Sequence, residues 1–137
     1  MKNILLILSV MLLAFSGCKK DNFYDKFPPE VLFYEGSQVE NADFVTTTLD
    51  AGVTEWNVKA RVSAPLQLKE VQLFKKTGSG NEELLETYNG FQATSTPTVF
   101  NLVYPLTGIT AETTVRINAV DLDNKPTSRT FVIKVTP

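Results

Sequence analysis

The sequence predicts an all-β sandwich of seven to eight short antiparallel strands over residues 30 to 137. Three observations carry that expectation. Apolar and polar residues alternate with a period of two along successive short segments, turn-forming residues separate those segments, and no stretch of ten or more residues carries a helical apolar stripe.

Residues 30 to 34 and 43 to 49 supply the first two β-rich segments. The clearest strand spans 55 to 63, where Trp56, Val58, Ala60 and Val62 alternate with Asn57, Lys59, Arg61 and Ser63. A strand turns that pattern into one buried and one wet face, whereas a helix would scatter it. Trp56, the single tryptophan, is expected at the centre of the core. Segments 70 to 76 and 83 to 88 flank Thr77-Gly78-Ser79-Gly80-Asn81, the flexible composition of a hairpin loop. Residues 98 to 104 are rich in β-branched and aromatic side chains and are bracketed by Pro97 and Pro105, as suits prolines at strand ends. Finally 113 to 120 places Thr113, Val115, Ile117 and Ala119 on one face, and 128 to 136 brings in Phe131, Ile133 and Val135 after the turn at 121 to 126.

Composition narrows the function classes. With 137 residues the chain has room for one domain. Thirteen basic and fifteen acidic side chains, a formal charge of −2, lack the concentrated basic stripe that nucleic acid would call for, so no nucleic-acid partner is expected. Histidine is absent and Cys18 is the single cysteine, which removes the commonest general base and the usual soft-metal ligands together. No catalytic residue, no metal site and no cofactor are therefore expected, and the chain is read as not an enzyme.

The N-terminus has a separate logic. Lys2 precedes a nearly unbroken apolar run from 4 to 15, and Ser16-Gly17 places small residues before Cys18. That is the physics of a signal peptide over residues 1 to 17, and a run of about a dozen residues falls well short of the roughly 20 that span a bilayer as a helix. From 18 to 29 the chain is charged and ends in Pro28-Pro29, which reads as a short tether stiffened at its end.

Phe15-Ser16-Gly17-Cys18 resembles a bacterial lipobox, and with Lys19-Lys20-Asp21 it resembles the lipoproteins of the Bacteroidota phylum. The resemblance implies that the Cys18 thiol is acylated, becomes the new N-terminus and anchors the chain to the outer membrane, on its periplasmic face or at the cell surface. Lysine rather than aspartate after the cysteine favours the outer membrane over the inner. Chemistry agrees, since an unpaired thiol in an oxidising compartment would be a reactive liability. Residues 30 to 137 resemble the immunoglobulin-like and fibronectin type III-like class. Leu106-Thr107-Gly108-Ile109-Thr110, followed by an inward-alternating strand ending Ala119-Val120-Asp121, carries that likeness, with Thr113 standing where fibronectin domains usually keep a tyrosine.

Two clusters attract a site reading. Tyr88, Asn89 and Phe91, around Gly90, combine two rings with an amide, the make-up of a sugar-stacking surface. Asp121, Asp123 and Asn124 group oxygen donors, but Lys125, Pro126 and Thr127 break a calcium-loop pattern, and Asp and Asn also favour turns. The resulting expectation is a membrane-anchored, non-catalytic binding or adhesion module, accessory to glycan capture at the cell envelope, with a glycan or an envelope protein as partner. The alternative is a structural or assembly component of an outer-membrane protein complex.

Overall fold

The computed structural model describes residues 27–36, 44–91 and 98–137. The signal segment, Cys18 and all but the last three tether residues lie outside the described residues. Eight strands follow in chain order: β1 (Glu30–Phe33), β2 (Thr46–Leu49), β3 (Trp56–Ala64), β4 (Leu68–Thr77), β5 (Glu83–Asn89), β6 (Thr98–Leu106), β7 (Thr113–Asp121) and β8 (Pro126–Val135). They form two sheets, a three-stranded one in the order β1-β3-β6 and a five-stranded one in the order β2-β8-β7-β4-β5.

The alternation along each strand decides which side chains the sheets enclose. On β3 the inward row is Val58, Ala60, Val62 and Ala64; on β7 it is Thr113, Val115, Ile117, Ala119 and Asp121. Small and β-branched side chains on these central strands let the larger ones from the flanking strands meet between the sheets. There Phe131 lies 5.1 Å from Phe33 and 4.9 Å from Phe44, ring centre to ring centre, with Leu73, Leu102, Ile117 and Ile133 buried around them. Burial of this kind stabilises by roughly 25 cal/mol per Å² of apolar surface removed from water.

Two polar devices tie the sheets and their edges. Arg129 on β8 donates through Nη1 to the carbonyl of Val31 on β1 at 3.0 Å, a bond from one sheet to the other. The amide and hydroxyl of Thr136 both donate to the Leu49 carbonyl, at 3.1 and 3.0 Å, and Thr46 Oγ1 donates to the Val132 carbonyl at 3.0 Å, which fastens β2 to β8. Thr113 is buried and donates its hydroxyl to the Ala111 carbonyl at 2.9 Å, so a short side chain secures the approach to β7.

Three expectations need correction. The pairing is not antiparallel throughout: β2 runs parallel to β8, from Thr46 opposite Val132 to Leu49 opposite Val135. Pro105 does not close the sixth strand but lies within it, opposite Asn57, which an edge strand tolerates because the missing N–H faces away from the ladder. Trp56 is not at the core centre. As the first residue of β3 it sits at one end of the sandwich, partly buried against the core, whose middle is built on Phe33 and Phe131.

Candidate functional site

Tyr88 ends the inward row of the edge strand β5, opposite Val71 on β4, and Gly90, at φ +73°, turns the chain so that Phe91 folds back over the gap between the sheets. A positive φ of this size suits glycine, since any Cβ would be strained there. Phe100, on the inward phase of β6, receives both rings: Tyr88 lies 5.0 Å away and tilted by 50°, and Phe91 lies 5.2 Å away and edge-on at 65°. Gln67 donates its Nε2 to the Phe91 carbonyl and its own carbonyl accepts the Leu122 amide at 3.0 Å, which holds this corner to the β7–β8 turn.

The three residues named from sequence are therefore together, and Phe100 is the member that sequence reasoning left out. All three rings are half-buried and packed against the core, with Phe100 joining the other two, so the cluster lies at the side of the sandwich between β5 and β6. Asn89 is exposed, with its backbone paired to Glu70. The Tyr88 hydroxyl titrates above its ordinary range, chiefly because burial disfavours the phenolate and further because of Glu86 and Tyr104.

The acidic turn is also engaged. Asp121 is buried and its Oδ1 accepts the Lys125 amide at 2.8 Å, while Asn124 adopts φ 61° and donates its amide to the Asp121 carbonyl at 3.0 Å. Lys69 Nζ donates to Asn124 Oδ1 at 2.6 Å, and Lys125 Nζ reaches Asp123 Oδ2 at 3.4 Å. The two ammonium groups thus take Asn124 Oδ1 and Asp123 Oδ2, Asp121 Oδ2 is buried without a hydrogen-bond partner, and among the described residues no group of three His, Cys, Asp or Glu side chains is placed to hold a metal. The sequence signal for this structural role was the phase of Asp121, which continues the inward row of β7.

Two hollows lie among the described residues. One of about 990 Å³ lies where the chain enters β1, lined by Phe27, Pro29, Val31, Arg61, Val99 and Arg129 among others. The second, about 380 Å³, lies at the opposite end of β3, between Tyr34, Trp56, Glu55, Lys59 and Leu106. On the outer face of the five-stranded sheet, Arg116 makes a two-point ion pair with Glu82 at 2.8 and 2.6 Å and lies 4.1 Å over the Phe74 ring.

No family model matches this chain, and no curated protein does. Among solved structures, a superoxide reductase (neelaredoxin) from Ignicoccus hospitalis is similar over 85% of this chain and 89% of its own, at 12% identity and a TM-score of 0.49. That finding corrects the functional expectation. The protein set beside this chain is an enzyme and not a binding or adhesion module, so neither the glycan-capture module with its assembly alternative nor the reading as a non-enzyme is carried forward. A likeness this distant gives this chain no activity of its own.

Proposed function

We propose that this chain is a lipoprotein of the bacterial outer membrane, with its β-sandwich held at the bilayer by acyl chains on Cys18. The observation that carries the proposal is Phe15-Ser16-Gly17-Cys18 at the end of a short apolar run with a lysine before it. Two further facts support it. Among the described residues the first strand starts at Glu30 and the core is assembled from Val31 onward, downstream of the signal segment and most of the tether. The eleven residues from Lys19 to Pro29 can reach at most about 36–40 Å, enough to hold a domain near a membrane surface without embedding it. Several acyl chains on one cysteine give durable anchoring, where a single short chain binds only marginally.

The finer fold reading belongs to the same proposal. An immunoglobulin-like, fibronectin type III-like sandwich is supported by the strand order, in which the first, third and sixth strands make one sheet and β2 with the two hairpins of β4–β5 and β7–β8 makes the other.

The test is fractionation of the full chain beside its Cys18→Ser variant. The parent chain should follow the outer-membrane fraction and resist extraction with high salt, and the variant should not. Protease treatment of intact cells then assigns the face. A Cys18→Ser chain that fractionates like its parent would remove the anchor from the account.

A further inference from the structure

We propose that Asn89–Gly90 is a self-modifying site, at which the chain turns Asn89 into aspartate and isoaspartate without an enzyme and so releases Phe91 from the ring cluster. The reaction needs an asparagine whose side-chain carbonyl carbon can be reached by the backbone nitrogen of the next residue. Both groups sit on adjacent residues, so the step is intramolecular and its rate is set by crowding and local freedom. A Cβ on the following residue stands in the way of that attack, and glycine has none. Among the described asparagines only Asn89 is followed by glycine. Asn57, Asn101 and Asn118 are held inside strands, and Asn81 and Asn124 precede residues that carry a Cβ.

The fold leaves this bond loose. Asn89 is exposed and is the last residue of β5, and its pairing with Glu70 closes the β4–β5 ladder at that end, so Gly90 lies beyond the sheet. Gly90 stands at φ +73°, and among the described residues nothing lies within 4 Å of the place a Cβ would take. The five-membered ring of the intermediate therefore has room to form.

The Gly90 nitrogen gives up its proton to solvent base and bonds to Asn89 Cγ, while the bond from Cγ to the side-chain nitrogen breaks and ammonia leaves. Water then opens the cyclic imide. Addition at Cγ restores the ordinary peptide with an aspartate, and addition at the main-chain carbonyl leaves the chain running through Cβ and Cγ, an isoaspartate. The balance is water in and ammonia out, with nothing oxidised or reduced. Either product puts a carboxylate opposite Glu70, a like-charge pair across the strands. Isoaspartate also adds a carbon to the backbone, about 1.5 Å of chain, in the short span between Tyr88 and Phe91. Those two rings meet Phe100 at 5.0 and 5.2 Å, and the Phe91 carbonyl is held by Gln67 Nε2, so the longer span cannot keep all three contacts.

Ageing the purified full chain in mildly alkaline buffer, followed by peptide mapping with electron-transfer mass spectrometry, tests the site. Conversion at Asn89 should be at least tenfold faster than at Asn81 or Asn124 in the same digest, should quicken with pH and should give both products. The aged, isoaspartate-rich chain should unfold at a lower urea concentration than the fresh chain, and lower also than a fresh Asn89→Asp variant, which carries the charge without the added carbon. An Asn89→Gln chain, whose attack would have to close a larger ring, should age with no change in its midpoint. An Asn89 that keeps its amide in the folded chain while converting in chain unfolded by urea overturns the proposal, because the fold then protects the bond. So does an aged midpoint equal to that of Asn89→Asp, and so does an Asn89→Gln midpoint that falls on ageing as the parent's does.

Discussion

Replacing Phe131 with alanine removes the ring on which the two sheets meet. It is 1% exposed and lies between Phe33 and Phe44 at 5.1 and 4.9 Å. Truncating a buried phenylalanine costs about 3–5 kcal/mol, and here the loss falls toward the upper part of that range, because two tilted ring pairs go with it at about 0.5–1.5 kcal/mol each beyond their burial. Against a typical domain stability of about 5–15 kcal/mol, the variant keeps little reserve. With a urea slope of about 2 kcal/mol per molar, the unfolding midpoint should fall by about 2 M. Trp56 provides the internal contrast. At the end of β3 and only partly buried, it should cost about 1–2 kcal/mol on truncation despite its greater size. Equilibrium urea unfolding followed by far-ultraviolet circular dichroism measures both variants alike. Trp56→Ala costing as much as Phe131→Ala, or Phe131→Ala costing less than about 1.5 kcal/mol, would refute this placement of the core.

Other consequences are smaller but separable. The Arg116 guanidinium, by hydrogen bonding first and by charge second, holds the Glu82 carboxyl below its usual value of 4.5. The pair's contribution is therefore present above that pH and lost as the pH falls through the lowered folded value. Both side chains are partly exposed, so a double-mutant cycle at pH 7 should return about 0.2–1 kcal/mol, shrinking with salt and with protonation of Glu82. Tyr88 shifts the other way: burial raises its folded value above 10.0, so its contribution is present below that pH and is lost as the pH rises through the raised value. Tyr88→Phe should delete the latest-rising part of the phenolate absorbance and flatten the alkaline fall in stability. At Asn124, where φ is 61°, Asn124→Val should cost about 1–2 kcal/mol more than Asn124→Gly, by thermal melts. Both changes lose the bond from Lys69, so the difference isolates the backbone.

Strand existence and facing were legible because a period of two is written directly in the side chains. The inward rows of β3 and β7, ending at Ala64 and Asp121, follow the alternation without a break. Neighbours joined by a short turn were legible, as in the β4–β5 and β7–β8 hairpins, but neighbours distant in sequence were not, because alternation says which face a residue takes and nothing about which strand lies beside it. The parallel alignment of β2 with β8 rests on Thr136 and Thr46 reaching carbonyls across more than eighty residues of sequence, and no local pattern announces it. Trp56 was misplaced because size was weighed without position: a first strand residue lies at the rim of a sandwich whatever its bulk. Tyr88 and Phe91 were found as a pair, and both pack on Phe100. Phe100, in phase with inward Leu102, was the available sign that the rings would be used internally. Asp121, likewise in phase with the core row, belonged to the turn that its carboxylate clamps.

The anchor on which the proposed function depends is most directly tested by mass spectrometry of the native N-terminal peptide, released from purified membranes. The expected result is a chain that begins at Cys18 and carries the added mass of a diacylglycerol, with or without a further acyl chain on its amine. A peptide beginning anywhere else, or one whose Cys18 thiol reacts freely with iodoacetamide, would contradict it.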